Sequence, residues 1–140
     1  MANFLLIEKK LKKFDKTISI SGDKSISIRW VLFASLANGL SKAQNLLISD
    51  DVLAAINAVR KFGIKVVLKG KFCKIYGNGF DGFKFKNNLI LDAKNSGTLG
   101  RLILGFLVNA PKPIKLVGDK SLSKRDFNRI AGIARIINIK

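Results

Sequence analysis

Short apolar runs along the chain alternate between the spacing typical of helices and the spacing typical of strands. Helices are predicted at residues 28–36 and 102–108, and at about residues 126–137. Ser49-Asp50-Asp51 is expected to cap another helix, whose apolar face at three- and four-residue spacing is made of Val52, Ala55, Ile56, Val59 and Phe62. Gly63 follows this face and is expected to end the helix.

Strand signals fill most of the intervals between these helices. β-Branched and aromatic residues predict strands at 64–68 and 72–76, joined as a hairpin around Gly70. Further short strands are predicted in four apolar runs, at residues 18–20, 45–48, 89–91 and 114–117. Strands that alternate with helices predict an α/β or α+β architecture, and they argue against a helical bundle or a β-sandwich.

Two internal similarities indicate a repeated structural unit. Gly-Asp-Lys-Ser occurs at residues 22–25 and again at residues 118–121, each time after a predicted strand and before a predicted helix. The segment 134–140 resembles the segment 59–65, with Asn138 in the place of Gly63. We therefore expect repeated β-α-β-α-β-β units, and we expect the chain to end inside one of them.

The composition is that of one globular domain without a membrane segment. The chain has 140 residues, of which 48% are hydrophobic, and this is enough for a single core. No apolar stretch approaches the roughly 18 residues that a membrane span needs, and the first residues lack the pattern of a secretory signal. A cytoplasmic location is expected.

The formal net charge of +17 favours an anionic partner. That partner could be nucleic acid, an acidic membrane surface or a phosphorylated metabolite; alternatively, many of the 26 Lys and Arg side chains only solvate the surface. Cys73 is the one cysteine and the chain has no histidine, which excludes an internal disulfide and a Cys/His metal site. The alternating context of Cys73 predicts a buried, unreactive thiol.

Three predicted helix starts combine a small polar turn with a basic residue. Free backbone N–H groups and the helix dipole favour an anion at such a start, and a guanidinium one turn later adds a forked donor for phosphate or carboxylate. Capping alone would explain any one of them. Three in one short chain predict strand ends that converge on one multiply anionic ligand in a cleft. The residues are Lys24, Ser25 and Arg29; Asn95, Ser96, Gly97, Thr98 and Arg101; and Ser121, Ser123, Lys124 and Arg125.

Other candidate sites have simpler structural explanations. Asp50 and Asp51 could form an acid/base or metal-binding pair, but adjacent carboxylates at a helix start usually cap it and complement its dipole. Four phenylalanines near lysines could stack on bases, although their spacing is more typical of packing in a core or hairpin. They are Phe72, Phe80, Phe83 and Phe85.

Taken together, the motifs resemble those of the enolpyruvyl transferase family, and within it the branch that acts on shikimate 3-phosphate, the EPSP synthases. Residues 22–29 resemble that family's Gly-x-Lys-Ser-x-x-x-Arg signature. Residues 45–52 match the segment that follows it. Residues 95–101 are similar to the Asn-x-Gly-Thr-x-x-Arg motif, and residues 118–125 to the Gly-Asp-x-Ser-Leu-x-x-Arg motif. Order and spacing agree over nearly the whole chain.

The resemblance implies transfer of the enolpyruvyl group of phosphoenolpyruvate to the 5-hydroxyl of shikimate 3-phosphate, through a tetrahedral intermediate that loses phosphate. It implies no metal and no organic cofactor. By the same resemblance, Lys24 would contact both substrates and act catalytically, while Ser25 and Arg29 would bind the shikimate phosphate. The phosphoenolpyruvate side, which glyphosate occupies in this family, would be formed by Asn95, Gly97, Thr98, Arg101 and Arg125.

The resemblance also implies two domains of repeated units in an inside-out α/β arrangement. Residues 1–20 would belong to the second domain, and residues 21–140 would form an incomplete N-terminal substrate-binding domain. Asp126-Phe127 stands where the family usually has a proline and an aliphatic residue, which puts the geometry after Arg125 in question. We expect weak anion binding and negligible turnover from the chain alone, and its exposed surface could support self-association.

Two other functions stay open at this point. A small basic nucleic-acid-binding module would account for the net charge, and it predicts an affinity that falls steeply with salt. Against it, the arginines stand at helix starts and not along one helix face. The chain could also be a folding or assembly piece whose partner supplies the rest of a site.

Overall fold

The computed structural model describes residues 6, 8–10, 13, 15–108, 110–128 and 130. Within these residues the helices are α1 Lys24–Leu36, α2 Asp50–Lys61 and α3 Gly97–Phe106, and two short 3₁₀ turns span Phe80–Gly82 and Leu122–Lys124. The strands are β1 Asn38–Ala43, β2 Lys65–Lys69, β3 Phe72–Asn78, β4 Leu89–Asp92 and β5 Ile114–Val117. No helix in this part of the chain combines the length and the apolarity that a membrane span requires.

The strands form two separate sheets. In the first, β3 lies between β1 and β2 and is antiparallel to both, and β2 and β3 are the two arms of the predicted hairpin. In the second, β4 and β5 are parallel, with Leu91 opposite Leu116. Parallel strands need a long crossover connection, and α3 lies in that connection between β4 and β5. The mixed architecture that the sequence predicts is therefore confirmed.

The core lies where the helices pack on the first sheet and on each other. The predicted apolar face of α2 is confirmed, because Val52, Ala55, Ile56, Val59 and Phe62 are all buried. The ring of Phe62 stacks on Phe83 with 5.0 Å between the ring centroids, and Phe85 packs against both. Phe83 and Phe85 thus have the packing role that their spacing predicts, whereas the ring of Phe80 is exposed.

The repeated Gly-Asp-Lys-Ser segments share one local geometry. Oδ1 of Asp23 accepts a hydrogen bond from the amide of Ile26 at 2.7 Å, and Oδ1 of Asp119 accepts one from the amide of Leu122 at 2.7 Å. Each aspartate satisfies a free N–H group three residues later, as N-cap residues do. The first segment starts α1, and the second starts only a 3₁₀ turn within the described residues.

Several predicted boundaries were wrong. Residues 18–20 and 45–48 are not strands. The apolar side chain of Leu46 packs in the core although residues 45–48 form no strand, and the amide of Leu46 donates to the carbonyl of Lys71. The strand after α1 is β1, which the sequence did not predict because Asn38-Gly39 resembles a helix stop and only the pairing with β3 reveals it. The helix predicted at 102–108 begins earlier, at Gly97.

The last predicted helix, about 126–137, lies largely outside the described residues, and so does the segment 134–140 that resembles 59–65. Both stay predictions. The assignment of residues 1–20 to a second domain also stays a prediction.

Candidate anion-binding site

The second and third motifs meet at the first residue of α3. Nη2 of Arg125 donates to the side-chain oxygen of Asn95 at 2.6 Å. Nη1 of Arg125 lies 2.6 Å from the position that a Cβ on Gly97 would occupy, and Nη1 of Arg101 lies 3.4 Å from the same position. Two guanidinium groups therefore lie over a residue without a side chain, at the positive end of a helix dipole.

The parallel pairing of β4 and β5 explains why these motifs meet. Because the carboxyl ends of parallel strands meet at one edge of a sheet, the loops that follow β4 and β5 are neighbours. Two backbone hydrogen bonds join them, from Ala93 to the carbonyl of Val117 and from Asp119 to the carbonyl of Lys94, each at 2.9 Å. The loop before α3 and the segment that carries Arg125 are thus held side by side.

The loop before α3 is well supported. Ser96 is buried, and its hydroxyl oxygen accepts the amide of Leu99 at 3.1 Å as the N-cap of the helix. Asp92 accepts the amide of Lys94 at 2.8 Å and forms an ion pair with its ammonium at 2.8 Å. The hydrogen bond from the Lys94 side chain is the largest of the effects that lower the pKa of Asp92. These contacts fix the backbone on which Asn95 and Gly97 stand.

Arg101 has its own supports. Its Nη2 donates to the carbonyl of Asp126 at 3.3 Å, and its guanidinium carbon lies 5.6 Å from the ring centroid of Phe127. Within the described residues, neither Arg101 nor Arg125 forms an ion pair with a carboxylate. Their two positive charges are therefore available to an anion. Thr98, the second residue of α3, is half-buried.

The first motif stands apart from this pair of arginines. Lys24 begins α1, and its ammonium lies 3.0 Å from Oδ2 of Asp51 at the start of α2. Ser25 is half-buried, and Arg29 is exposed. Among the described residues, no hydrogen bond or ion pair joins Lys24, Ser25 or Arg29 to the other two motifs.

A groove of about 1570 Å³ runs from the neighbourhood of Lys24 to the neighbourhood of Arg125. It lies between α2 and the segment 84–95. Asp51, the ion-pair partner of Lys24, and Asn95, the hydrogen-bond partner of Arg125, both line it. Of the predicted site residues, all of which are in the described part of the chain, only Asn95 lines this groove.

Sequence reasoning missed two partners of the site residues. Asp51 was interpreted mainly as a capping residue of α2, with an acid/base or metal-binding pair as the alternative. Its ion pair with Lys24 depends on how α1 and α2 approach each other. Phe127 was noted as a departure, and no local pattern predicts that its ring lies under Arg101. The departure at Asp126-Phe127 leaves Arg125 in contact with Asn95.

The described residues do not form a cysteine nucleophile or a metal site. Cys73 is fully buried in β3, and burial raises the pKa of its thiol, which is the opposite of what a nucleophile needs. No group of three or more His, Cys, Asp or Glu side chains stands together as a metal site in this part of the chain.

Comparison with known proteins identifies the family. The sequence model of EPSP synthase (3-phosphoshikimate 1-carboxyvinyltransferase) matches residues 8–133. The chain belongs to the EPSP synthase family. A 3-phosphoshikimate 1-carboxyvinyltransferase of Bacillus cytotoxicus is 41% identical over 127 residues, which are 91% of this chain and 30% of the relative. One of Streptococcus agalactiae is 44% identical over 115 residues, which are 82% of this chain and 27% of the relative.

Solved structures agree with this assignment to the EPSP synthase family. An EPSP synthase of Acinetobacter baumannii superposes with a TM-score of 0.80 at 34% identity, over 86% of this chain and 27% of that one. A second structure of EPSP synthase from the same organism gives a TM-score of 0.81. The enolpyruvyl transferase resemblance and the fold class are confirmed, and the chain spans about 30% of the length of the first of these relatives. The nucleic-acid-binding alternative finds no support in these relatives.

Proposed function

We propose that this chain forms part of the substrate site of a 3-phosphoshikimate 1-carboxyvinyltransferase. That enzyme would join the enolpyruvyl group of phosphoenolpyruvate to the 5-hydroxyl of shikimate 3-phosphate and release phosphate. The observation that best supports the proposal is the pair of guanidinium groups over Gly97, free of carboxylate partners among the described residues. Phosphoenolpyruvate carries a phosphate and a carboxylate, and forked guanidinium donors match both groups.

The residues of α3 and its neighbouring loops would bind phosphoenolpyruvate. Arg125, oriented by Asn95, would donate to one anionic group of the ligand, and Arg101, which lies near the same point over Gly97, would donate to a second. Because Gly97 has no side chain, an anion can approach the first N–H groups of α3 closely. Thr98 would line the same pocket, which glyphosate, itself an anion, would share.

The start of α1 would bind shikimate 3-phosphate. Ser25 and Arg29 would hold its phosphate, and Lys24 would contact both substrates. When the 5-hydroxyl oxygen adds to C2 of phosphoenolpyruvate and a proton goes to C3, the tetrahedral intermediate keeps its phosphate. Loss of that phosphate and of a C3 proton restores the double bond. A fixed ammonium at Lys24 would stabilise the negative charge on the departing phosphate, and Asp51 would hold that ammonium in place.

In this proposal the chain binds the two substrates and stabilises the negative charge of the departing phosphate, and we expect negligible turnover by the chain alone. It acts without a metal or an organic cofactor in this proposal, and the reaction takes place in the cytoplasm. None of the described residues is assigned to proton transfer, and the matched segments cover 30% and 27% of these two relatives.

Calorimetric titration with shikimate 3-phosphate, and separately with phosphoenolpyruvate, tests the proposal. We expect weak binding of each ligand, and we expect Arg29→Ala to abolish binding of shikimate 3-phosphate. Lys42→Ala removes an exposed charge on β1, where Lys42 lies opposite Lys74 of β3; it is the charge-matched control and should bind as the parent chain does.

Three results would contradict the proposal. Equal losses in Arg29→Ala and Lys42→Ala would mean that binding depends only on net charge. If a short oligonucleotide bound and neither metabolite did, the chain would keep the family's fold without a working substrate site. Steady-state release of phosphate from both substrates, at the rate of a complete enzyme, would refute the expectation of negligible turnover.

A further inference from the structure

The guanidinium of Arg101 is held between an aromatic ring, a carbonyl and a glycine. Its carbon lies 5.6 Å from the ring centroid of Phe127, and its Nη2 donates to the carbonyl of Asp126 at 3.3 Å. The ring in turn packs on α3 at Gly100, where a Cβ would come within 3.3 Å of two ring atoms. The absence of a side chain at Gly100 therefore lets the ring lie close to the helix that carries Arg101.

This support matters because Arg101 faces a second cation. Its Nη1 and that of Arg125 lie 3.4 Å and 2.6 Å from one point above Gly97, so the two nitrogens are at most about 6 Å apart, where like charges repel. The helix dipole is also positive at this end. Arginine has a long side chain with many rotamers, and repulsion would favour those that carry the guanidinium into solvent.

We propose that Phe127 is a positioning residue for phosphoenolpyruvate binding: its ring holds the Arg101 guanidinium over Gly97 in the absence of the anion. This inference rests on the proposed function and deepens it. The negative face of an aromatic ring attracts a guanidinium, and an aliphatic side chain at the same place would pack on Gly100 without that attraction. The aromatic residue therefore adds preorganisation to the site, and the bound phosphoenolpyruvate meets two arginines already in position.

Nuclear magnetic resonance tests the placement without any ligand. Protons above an aromatic ring resonate upfield, so we expect the side-chain protons of Arg101 to be shifted upfield in the parent chain. Phe127→Leu should return them to ordinary values, and Phe127→Tyr, which keeps a ring, should retain the shift. Ordinary Arg101 shifts in the parent chain would overturn the positioning role, whatever the chain binds.

Titration with phosphoenolpyruvate then tests the consequence for binding. We expect Phe127→Leu to weaken binding about two- to fivefold, the range that an exposed cation–π contact supports, and Phe127→Tyr to bind as the parent does. In an Arg101→Ala background, Phe127→Leu should cause no further loss, because the ring acts through that guanidinium. An equal loss in both backgrounds would show a merely structural role and would overturn the proposal.

The outcomes separate this inference from the proposed function. If the parent chain shows the upfield shift but does not bind phosphoenolpyruvate, the proposed function fails and the ring positions Arg101 for no such ligand. If phosphoenolpyruvate binds and Phe127→Leu binds equally well, the proposed function stands and the role of Phe127 is refuted.

Discussion

Replacing Gly97 by alanine should weaken phosphoenolpyruvate binding without destabilising the fold. The new methyl group would lie 2.6 Å from Nη1 of Arg125, whereas an ordinary contact is about 3.5 Å, so that nitrogen must move by about 1 Å. The atom is the end of a flexible side chain, and it can move without shifting the backbone. The movement strains the 2.6 Å hydrogen bond that Arg125 donates to Asn95.

The expected loss of affinity follows from this displacement. Hydrogen bonds to charged groups contribute about 1.5–3 kcal/mol, and solvent exposure at this site favours the lower value. A loss of about 1.4 kcal/mol in binding free energy corresponds to a tenfold larger dissociation constant. We therefore expect Gly97→Ala to bind phosphoenolpyruvate about tenfold more weakly, measured by calorimetry at fixed ionic strength.

Gly105→Ala is the matched control, because it makes the same change in the same helix. A Cβ at Gly105 would meet nothing within 4 Å. Alanine is a better helix former than glycine by about 0.5–1 kcal/mol, so Gly105→Ala should raise the free energy of unfolding and leave binding unchanged. If Gly97→Ala and Gly105→Ala bind phosphoenolpyruvate equally well, the reasoning from the position of Arg125 is wrong.

Three further predictions concern groups outside α3. Asp51→Asn should lower the free energy of unfolding in urea by about 0.5–1 kcal/mol more than Asp50→Asn, because both lie in the first turn of α2 and only Asp51 pairs with the ammonium at the start of α1; equal effects would exclude a contribution from the pair. The lowered pKa of Asp92 stabilises the fold above the unfolded value of about 3.9, and this contribution is lost as the pH falls through the folded pKa. Asp92→Asn should thus melt below the parent at pH 6, by a deficit that shrinks as the pH falls below about 3.9, and a deficit that does not change with pH would contradict the assignment. Because Cys73 is buried with a raised thiol pKa, an aromatic disulfide reagent should label it only as fast as the chain opens, and immediate labelling in native buffer would contradict its burial.

The periodic elements were predictable from the sequence because local pattern alone specifies them. The apolar face of α2 and the hairpin of β2 and β3 need no information beyond spacing and a glycine turn. β1 was missed because its residues, Asn-Gly-Leu-Ser-Lys-Ala, carry no strand signal of their own, and pairing with β3 makes them a strand. The run at 45–48 was misassigned because burial of Leu46 and strand formation both favour apolar residues.

For the site, the sequence predicted the residue types, and the structure supplied the distances. The first two small polar turns precede α1 and α3, while the third starts only a 3₁₀ turn within the described residues. The repeated Gly-Asp-Lys-Ser indicated the matching caps at Asp23 and Asp119. The contact between Asn95 and Arg125 joins residues 30 positions apart and depends on the parallel pairing of β4 and β5. The partners Asp51 and Phe127 depend on packing between elements, which no local pattern records.

The crossover from β4 through α3 to β5 makes the contact between Asn95 and Arg125 a reporter of folding. Asn95 stands before α3 and Arg125 after β5, so their contact exists only when this whole β-α-β segment is assembled. A ligand that bridges Arg101 and Arg125 binds the assembled segment and not the unfolded one. It must therefore stabilise the assembled segment by mass action. Amide hydrogen exchange in β4 and β5 should therefore slow when phosphoenolpyruvate is added, while the hairpin of β2 and β3 gains less protection. The affinity for the anion and the protection of β4 and β5 from exchange therefore both report the equilibrium between the assembled and the open β-α-β segment.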